Sequence, residues 1–547
     1  MGCNRAGGDR LDLDRLWGGT PPDGLTLSVL AWLLLPGVIF LLGWAKPWAG
    51  LLAAGAGLAA LALAPGWRGN GRAERCCLAS AADRHDSPPR TGNGLPTGWR
   101  LTLLCLTLGL LWAAGTGTHH LVYSTADWQV RDAVLRDLAL IPWPVGYAAA
   151  LHGADALLRA PLGFFLPAGL FGRLAGIEAA QIALWAWAGL GLALLLGLLA
   201  GLARDLAPTR AGRAFAVMVP VFVLFHGLDI LPNAWLDWQA GAGLLGSWNR
   251  GGEWWARLFQ YAGHVTELLW APNHAIAAWL TALLLLRHGR HPDLPRMLAL
   301  PLAATAFWSP VGTIGAAVLA MVAVLEQGWE AVLAAARAPG NWLAAVFALP
   351  LCLYLLAGAE TVRHQPLLSA WPVGLALSRW ALFLVLEVLA WAVPLALLLR
   401  ARLLTAAVAV LCLLPAYVFG PGNEMTSRGG IAPLAVLAVA AAAGLLAPVR
   451  NARQRWARRT LMACSVLAVL GAVMEGSLLI ARPAWPASPA CSVPEAGQQS
   501  VFQDSTDWSH YLAPWPEATL VPWLRPPLLQ VPPPSDEGLR CWPRGGA

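Results

Sequence analysis

The chain is dominated by long runs of apolar residues that short polar segments separate. A helix that crosses a membrane needs about 17–25 mostly apolar residues, and most of these runs approach or exceed that length. The run at 297–308 is too short to cross alone, and it forms either a short span or one arm of a tight hairpin with the next run. The pattern predicts thirteen spans, at 25–44, 48–64, 101–118, 178–202, 214–231, 265–286, 297–308, 310–327, 341–358, 374–399, 403–419, 431–448 and 460–480.

The composition agrees with this pattern, since 57% of the residues are hydrophobic and only 12% are charged. Soluble proteins carry about 25% charged residues, and a β-barrel would show short alternating segments instead. We therefore expect an all-α polytopic membrane protein with about thirteen transmembrane helices. Three parts are predicted: an N-terminal segment, two-helix hairpin and Arg-rich loop at 1–100, a core at 101–480, and a Pro/Trp-rich tail at 481–547.

Basic residues are concentrated in alternate loops, and almost all of the net charge of +7 comes from arginine. One set of loops holds 23 arginines in roughly 108 residues, whereas the opposite set holds 13 basic residues in roughly 189. Cytoplasmic loops of membrane proteins show such an excess. The bias predicts a cytoplasmic N-terminus and an extracytoplasmic C-terminus. No dense basic and aromatic surface indicates a nucleic-acid partner.

This orientation requires that the apolar segment 148–177 does not cross the membrane. Pro161 and Pro167 interrupt it, and Arg159 and Arg173 lie within it. We expect a helix that lies in, or dips into, the outer interface. A true span is the alternative, and it would place the Arg-rich loop 450–459 outside.

The most charged segment next to a predicted span contains Asp127, Arg131, Asp132, Arg136 and Asp137. On a helix, residues 127 and 131 share a face, and so do 132 and 136. Arg136 and Asp137 are interpreted as stabilising the helix. Asp127 precedes the helix at the N-cap position that aspartate favours. There it is able to cap the helix, bind a metal or act as a general base.

Two other segments predicted on the outer side each carry an arginine at a position suited to binding an anion. Arg159 precedes Pro161, and its side chain can either snorkel to lipid headgroups or bind a lipid phosphate with two hydrogen bonds. Glu424 and Arg428 lie in the polar loop 420–430, just before a span. An arginine beside a helix N-terminus suits an anion. A plain connecting loop is the alternative.

Further polar residues border the aromatic loop 232–264, which is either an interfacial belt or a platform for stacking sugars. Glu267, Asn273 and His274 begin the span after this loop, and His226-Gly227-Leu228-Asp229 ends the span before it. The spacing of His and Glu matches no zinc motif, so no metal ligand is assigned. Cys491 and Cys541 both lie in the tail, and whether they pair depends on which side of the membrane the tail faces.

The order of these segments resembles membrane glycosyltransferases of the GT-C superfamily, among them protein O-mannosyltransferases and lipid A aminoarabinose transferases. Their first outer loop typically carries a catalytic acid, followed by a Lys-Pro-Pro-Leu-like segment on a juxtamembrane helix. Asp127 and the segment Arg159 to Phe165 match these features, although Trp128 replaces a second acid. The chain also resembles a group of bacterial membrane proteins with short motifs at Asp127-Trp128, Pro142 to Val145, Leu166 to Ala168, Trp270 to His274, Ser309 to Gly312 and Asn423 to Arg428.

The resemblance implies a GT-C-like fold with outer juxtamembrane helices, in the bacterial cytoplasmic (inner) membrane. It implies transfer of a sugar from a polyprenyl-phosphate donor to a hydroxyl of a glycan, lipid or protein acceptor at the outer face. Asp127 would be the catalytic base and Arg131 would orient it, while Arg159 and Arg428 would stabilise the phosphate. The same motifs add three substrate-binding residues: Asp132, His274 and Glu424. No cofactor is assigned, although a divalent cation is compatible with this chemistry. Membrane lipids are expected to surround the protein as further binding partners.

A multi-span transporter or lipid flippase is the main alternative. Such proteins place ionisable residues near the middle of the membrane. Glu387 and Arg379 in the span 374–399 are the main residues that fit it. A non-catalytic GT-C-like membrane protein is the third interpretation.

Overall fold

The protein is predominantly helical. In the computed structural model, 69% of the chain is helical and little of it forms strands. The structure describes residues 10–65, 95–120, 122–243, 246, 248, 252–253, 255–420, 422–483, 490–500, 510–531 and 540–542. The adjacent Cys76 and Cys77 lie outside the described residues, as does most of the Arg-rich segment between 65 and 100.

Within the described residues, six helices are long and apolar enough to cross a membrane, with 18 to 30 residues each. That length meets the requirement of about 17–25 residues for a spanning helix. The prediction of a helical protein with several membrane spans is therefore confirmed. The six helices are Gly24–Trp44, Trp99–Thr116, Ile177–Leu206, Pro339–Leu356, Val373–Leu398 and Ala452–Ala481.

The remaining predicted spans coincide with shorter helices, so the number thirteen stays a prediction. Six of these helices are apolar and have 10–17 residues: Pro47–Ala62, Ala211–Val223, Ala299–Trp308, Pro310–Glu326, Arg402–Ala416 and Ile431–Leu446. The other α-helices in the part of the chain that the structure describes are Leu13–Leu16, Trp128–Leu140, Leu166–Ala175, Ile230–Gln239, His264–Trp270, Pro272–His288, Leu294–Met297, Trp329–Arg337, Leu367–Ala370, Glu424–Ser427 and Val493–Gln499.

Prolines begin two of the helices in the predicted apolar runs, and one of them divides a run. The run 265–286 is interrupted at Ala271, because Pro272 begins a new helix and has no N–H with which to continue the previous one. The two runs 297–308 and 310–327 are separate helices joined at Ser309, as expected. The Ser309 hydroxyl caps the second helix by accepting a hydrogen bond from the backbone N–H of Gly312 at 3.1 Å.

The span Val373–Leu398 contains one irregular turn. Residues Val385–Leu389 form a π-helix, and Glu387 lies in its middle with only 2% of its surface exposed. A π-turn inserts an extra residue into an α-helix and often accompanies a functional site. The extra residue also rotates the side chains that follow it about the helix axis, relative to their positions in a regular α-helix.

The first two apolar helices pack into the bundle and do not form a separate hairpin. Trp32 of helix 24–44 stacks between Trp187 and Trp308, at centroid distances of 4.8 and 4.3 Å. Gly57 of helix 47–62 lies against the ring of Phe347, where an added Cβ would come within 2.6 Å. These contacts join residues 24–62 to the helices that follow.

Two distant parts of the chain form a four-stranded sheet. The antiparallel hairpin Val145–Leu151 and Ala154–Leu158 lies at its centre, and the tail strands Leu512–Pro514 and Leu528–Gln530 lie at its edges. Gly146 permits the closest approach, because a Cβ there would lie 2.6 Å from Pro527. The tail therefore completes a sheet begun 360 residues earlier. The remaining short strands are Leu11–Asp12 paired with Leu399–Arg400, and His364–Pro366 paired with Tyr417–Phe419.

This hairpin corrects the prediction of an interfacial helix over 148–177. Only Leu166–Ala175 is an α-helix, and Leu162–Phe164 before it is a single 3₁₀ turn. Left-handed backbone at Ala149 and His152, with φ of 52° at both, marks the irregular end of the hairpin. Because the tail supplies partners for both edges of the hairpin, segment 145–158 pairs as strands.

The helix Trp128–Leu140 is almost entirely buried beneath the tail. Asp137 receives hydrogen bonds from the Tyr147 hydroxyl at 2.5 Å, the Val493 N–H at 2.9 Å and Arg136 at 2.7 Å. The structural interpretation of Arg136 and Asp137 is therefore confirmed. Cys491 and Cys541 form a disulfide across the tail.

Candidate functional site

Asp127 and Arg131 form an ion pair at the start of helix 128–140. The Arg131 Nη2 donates to Oδ2 of Asp127 at 2.6 Å, and 23% of the Asp127 side chain is exposed. The predicted i,i+4 pair is confirmed, but Asp127 does not cap the helix. Its backbone is already helical, with φ −57° and ψ −28°. Its carboxylate therefore points along the helix towards Arg131 and away from the N–H groups of the first turn.

Asp132 and Arg136 do not form the predicted pair. Asp132 is buried and its Oδ2 lies 2.9 Å from Nε2 of His120, while Arg136 binds its neighbour Asp137. The helix turns Asp132 inward against the loop that follows helix 99–116. Burial raises the pKa of Asp132, and the neighbouring His120 and Arg131 oppose that rise. These contacts give Asp132 a structural role, since it fixes the helix that carries Asp127 and Arg131. They do not favour the predicted role of Asp132 in substrate binding.

Arg159 lies immediately after the strand Ala154–Leu158, and its guanidinium is buried with 9% of the residue exposed. Its backbone N–H donates to the carbonyl oxygen of Tyr511 at 2.6 Å. Within the part of the chain that the structure describes, Nε and Nη2 of Arg159 have no hydrogen-bond partner. Burial lowers the pKa of Arg159, and the nearby Tyr354 and Glu360 oppose this effect. A buried guanidinium with unpaired N–H groups favours an anionic ligand.

The tail residues His510 and Tyr511 connect the predicted site residues. Burial and the charge of Asp127 raise the pKa of the Tyr511 hydroxyl, whereas polar contact with Arg131 and the charge of Arg428 lower it. The imidazole of His510 lies within the electrostatic range of Arg159 and Arg131. The tail therefore lies within electrostatic range of three arginines from separate parts of the chain.

Arg428 follows the short helix Glu424–Ser427, and its side chain is 21% exposed. Its Nη1 lies 3.8 Å from Oε2 of Glu267, which is close enough for an ion pair but too long for a hydrogen bond. Glu424 lies within its own loop, where its carboxylate occupies the space beside Gly420. These contacts bring Arg428 to the site, whereas the side chain of Glu424 stays within its own loop.

His274 lies in the first turn of helix 272–288. Its Nδ1 is buried and has no hydrogen-bond partner among the described residues. The charges of Arg428 and Arg131 both act on this imidazole, and so does His510. His274 therefore lies within electrostatic range of these residues, and its role in substrate binding stays a prediction.

Arg131, Arg159 and Arg428 are called the arginine cluster below. A carboxylate acts on each of the three: Asp127 on Arg131, Glu267 on Arg428 and Glu360 on Arg159. Guanidinium groups bind phosphate and carboxylate through two parallel hydrogen bonds. The unpaired N–H groups of Arg131 and Arg159 suit an anion held near the partly exposed carboxylate of Asp127.

Comparison with known proteins gives no matching family model, no matching curated protein and no matching solved structure. The function is therefore argued from the geometry of the site.

Three residues near the arginine cluster carried no prediction from the sequence: Glu267 as the partner of Arg428, and His510 and Tyr511 in the tail. Glu267 was noted only as a polar residue at the start of a span. Nothing local in the tail indicates that it returns to the first loop, because the pairing of strand 512–514 with strand 154–158 is a long-range contact.

None of the predicted site residues belongs to the group of side chains best suited to hold a metal. Within the described residues, that group is His226, Asp229 and Glu253, whose ligand atoms all lie within 4.8 Å of one another. His226 and Asp229 end the segment before the aromatic loop, and Glu253 lies within that loop. The signal in the sequence is weak, because 23 residues separate Asp229 from Glu253.

Proposed function

We propose that this chain is a membrane glycosyltransferase that moves a sugar from a polyprenyl-phosphate donor to an acceptor hydroxyl. The observation that carries the proposal is the ion pair between Arg131 and the partly exposed carboxylate of Asp127, beside the tail residue Tyr511, on which the charge of Arg428 also acts. Two of its guanidinium groups, those of Arg131 and Arg159, have N–H atoms without a hydrogen-bond partner among the described residues. The resemblance to the GT-C superfamily rests on the same residues.

The chemistry is a displacement at the anomeric carbon of the donor sugar. The acceptor oxygen forms a new bond to that carbon, and the bond between the carbon and the phosphate oxygen breaks. Asp127 accepts the proton of the acceptor hydroxyl. The leaving group is the polyprenyl phosphate, whose growing negative charge Arg159 and Arg428 stabilise. Holding both substrates in place supplies much of the remaining acceleration.

The proposed location is the outer face of the bacterial cytoplasmic membrane. The unequal distribution of arginine between loops supports an extracytoplasmic position for the first loop and the tail. The disulfide between Cys491 and Cys541 supports the same side, since disulfides persist in oxidising compartments. In this orientation the N-terminus is cytoplasmic.

Binding of undecaprenyl phosphate to the purified full chain tests the anion site without knowledge of the sugar. Wild-type protein is expected to bind undecaprenyl phosphate and not undecaprenol, measured by native mass spectrometry in detergent. Arg159→Gln and Arg428→Gln should each weaken binding about tenfold, since a charge-assisted hydrogen bond contributes about 1.5–3 kcal/mol. Arg173→Gln is the matched control, because Arg173 binds the carbonyl of Ile141. Equal binding of undecaprenol and its phosphate would refute the anion site.

The catalytic step is tested by release of undecaprenyl phosphate from a panel of undecaprenyl-phosphate-linked sugars in proteoliposomes. Asp127→Asn should lower the rate about 10²–10⁴-fold, the usual contribution of a general base. Binding of undecaprenyl phosphate should persist in this variant, which separates the loss of the base from the loss of the anion site. A fully active Asp127→Asn protein would rule out Asp127 as the base.

Transport is the second candidate function, and buried carboxylates in two candidate spans favour it. Glu387 of helix 373–398 and Glu475 of helix 452–481 are 2% and 1% exposed. Scrambling of a fluorescent phospholipid in proteoliposomes distinguishes the two functions. A flippase should lose scrambling in Glu387→Gln and keep it in Asp127→Asn, whereas a glycosyltransferase should give no scrambling above protein-free vesicles.

A further inference from the structure

A second polar group lies apart from the arginine cluster, where the chain turns after helix 211–223. His226 Nδ1 lies 2.9 Å from Oδ2 of Asp229, and its Nε2 lies 3.1 Å from Oε1 of Glu253. The exposed fractions of the three residues are 0%, 2% and 4%. Glu387 and Glu475, also buried, adjoin them from two candidate spans.

Fixed hydrogen bonds hold one oxygen of each of three carboxylates. Trp255 Nε1 donates to Oδ1 of Asp229 at 2.5 Å, and the Gly263 N–H donates to Oε1 of Glu253 at 2.7 Å. The Gly252 N–H donates to Oε1 of Glu475 at 2.6 Å. These bonds fix the directions of the carboxylates, so that the group is rigid before any ligand arrives.

Five buried atoms of this group have no hydrogen-bond partner among the described residues: His226 Nε2, Asp229 Oδ2, Glu253 Oε2, and both carboxylate oxygens of Glu387. Two of these atoms, His226 Nε2 and Asp229 Oδ2, still take part in the ion pairs of the imidazole with Glu253 and Asp229. Glu253 Oε2 and both oxygens of Glu387 have neither kind of partner among the described residues. An unsatisfied buried polar group costs about 1–3 kcal/mol, and more if charged. Three such carboxylate oxygens at one place indicate that a ligand satisfies them.

Glu387 points into the group from the π-turn of its span. A Cβ built on Gly227 would lie 1.5 Å from Oε2 of Glu387, so the carboxylate rests directly on the chain between His226 and Asp229. Asp229 is the charged neighbour that acts most strongly on Glu387. Only a glycine at 227 permits this approach, and a single imidazole faces four carboxylates.

We infer that His226, Asp229, Glu253 and Glu387 form a binding site for one divalent metal ion. Ligand atoms of the first three lie within 4.8 Å of one another. Two ligand atoms on opposite sides of a transition-metal ion are about 4.2 Å apart, because each metal–ligand bond is about 2.1 Å long. One imidazole with several carboxylates suits Zn²⁺ or Mn²⁺. Asp229 faces Nδ1 of His226 and Glu253 faces Nε2, so one of these two carboxylates binds the ion beside the imidazole and the other orients the ring, which is the usual arrangement of a metal-bound histidine.

The ion would connect three separate parts of the chain: the turn at 226–229, the aromatic loop through Glu253, and the span through Glu387. The loop continues directly into helix 264–270, where Glu267 pairs with Arg428. The site therefore holds the loop that leads to one member of the arginine cluster. It contributes no ligand from Asp127 or Arg131, so it stands independently of the proposed transfer reaction.

Metal content and binding of the purified full chain test the site. Elemental analysis should give about one equivalent of zinc or manganese per chain. Chelator-treated protein should bind Zn²⁺ or Mn²⁺ with a stoichiometry of one by calorimetry, and should melt at a higher temperature with the ion than without it. Asp229→Asn and Glu387→Gln should each weaken binding at least tenfold. Asp205→Asn, whose carboxylate binds Thr20 instead, is the control and should bind as wild type.

Binding unchanged in both Asp229→Asn and Glu387→Gln would overturn the site. So would wild-type protein that contains no metal and is not stabilised by either ion. If the two variants do not fold, the chelated wild-type chain decides the matter, because its melting temperature must respond to metal. Spectra of bound Mn²⁺ that show no nitrogen ligand would likewise contradict the role of His226.

Discussion

The backbone N–H of Arg159 donates to the carbonyl oxygen of Tyr511 at 2.6 Å. This bond continues the pairing of strand 154–158 with strand 512–514, and it places the buried Arg159 guanidinium beside the tail. Tyr511 in turn contacts Arg131. The tail is therefore a structural part of the arginine cluster, since it links two arginines that belong to different elements.

Loss of the disulfide should destabilise the tail. Cys491 and Cys541 close a loop with a sequence separation of 50 residues, for which the expected stabilisation is about 2–4 kcal/mol. The double variant Cys491→Ser, Cys541→Ser should unfold at a lower temperature and expose the tail to limited proteolysis. Cys464→Ser, which removes a free cysteine in helix 452–481, is the control. Equal protease resistance of the two variants would contradict this prediction.

The tail should also become less stable as the pH rises through the pKa of Asp137. Burial raises this pKa to about 6, although hydrogen bonds from Tyr147 and Arg136 oppose the rise. A carboxyl group whose pKa is higher in the folded than in the unfolded state favours folding below its unfolded pKa. That contribution declines between about pH 4 and pH 6. Melting curves over this range should therefore show a smaller pH dependence in Asp137→Asn than in wild type.

Asp132 should matter for stability and not for binding of the anion. Its carboxylate is paired with His120 at 2.9 Å beneath the helix that carries Asp127 and Arg131. Asp132→Asn should lower the free energy of unfolding by about 1–3 kcal/mol, because a buried partner is left unsatisfied. Undecaprenyl phosphate should bind this variant with wild-type affinity at a temperature where it is folded. Weakened binding by the folded variant would instead support direct substrate contact.

Gly109 should be irreplaceable for the packing of helix 99–116. A Cβ at this position would lie 2.5 Å from the carbonyl oxygen of Gly189, which is backbone of helix 177–206 and cannot move aside easily. Overpacking of this kind costs about 1–3 kcal/mol or more. Gly109→Ala should lower the melting temperature in detergent, while Gly55→Ala, with no atom within 4 Å of the added Cβ, should not. Similar melting temperatures for the two variants would refute the close helix contact.

The hydrophobic pattern predicted helices well, because the length of an apolar run alone decides whether a helix can cross a membrane. Asp127 and Arg131 were paired correctly, since spacing along one helix fixes their proximity. Asp132 was paired wrongly, because its partner His120 lies in another segment and no periodicity reveals it. Residues 148–158 of the hairpin were predicted as part of an interfacial helix for the same reason: its strands are stabilised by a tail that the local sequence does not contain.

The sheet formed by residues 145–158 and 512–530 has a consequence for the order in which the protein is made. A ribosome produces the hairpin at 145–158 long before the strand 512–514 that pairs with it. The helical bundle can assemble while synthesis continues, but the arginine cluster is incomplete until the tail arrives. A chain that ended before residue 510 would therefore keep its spans and lack a finished site.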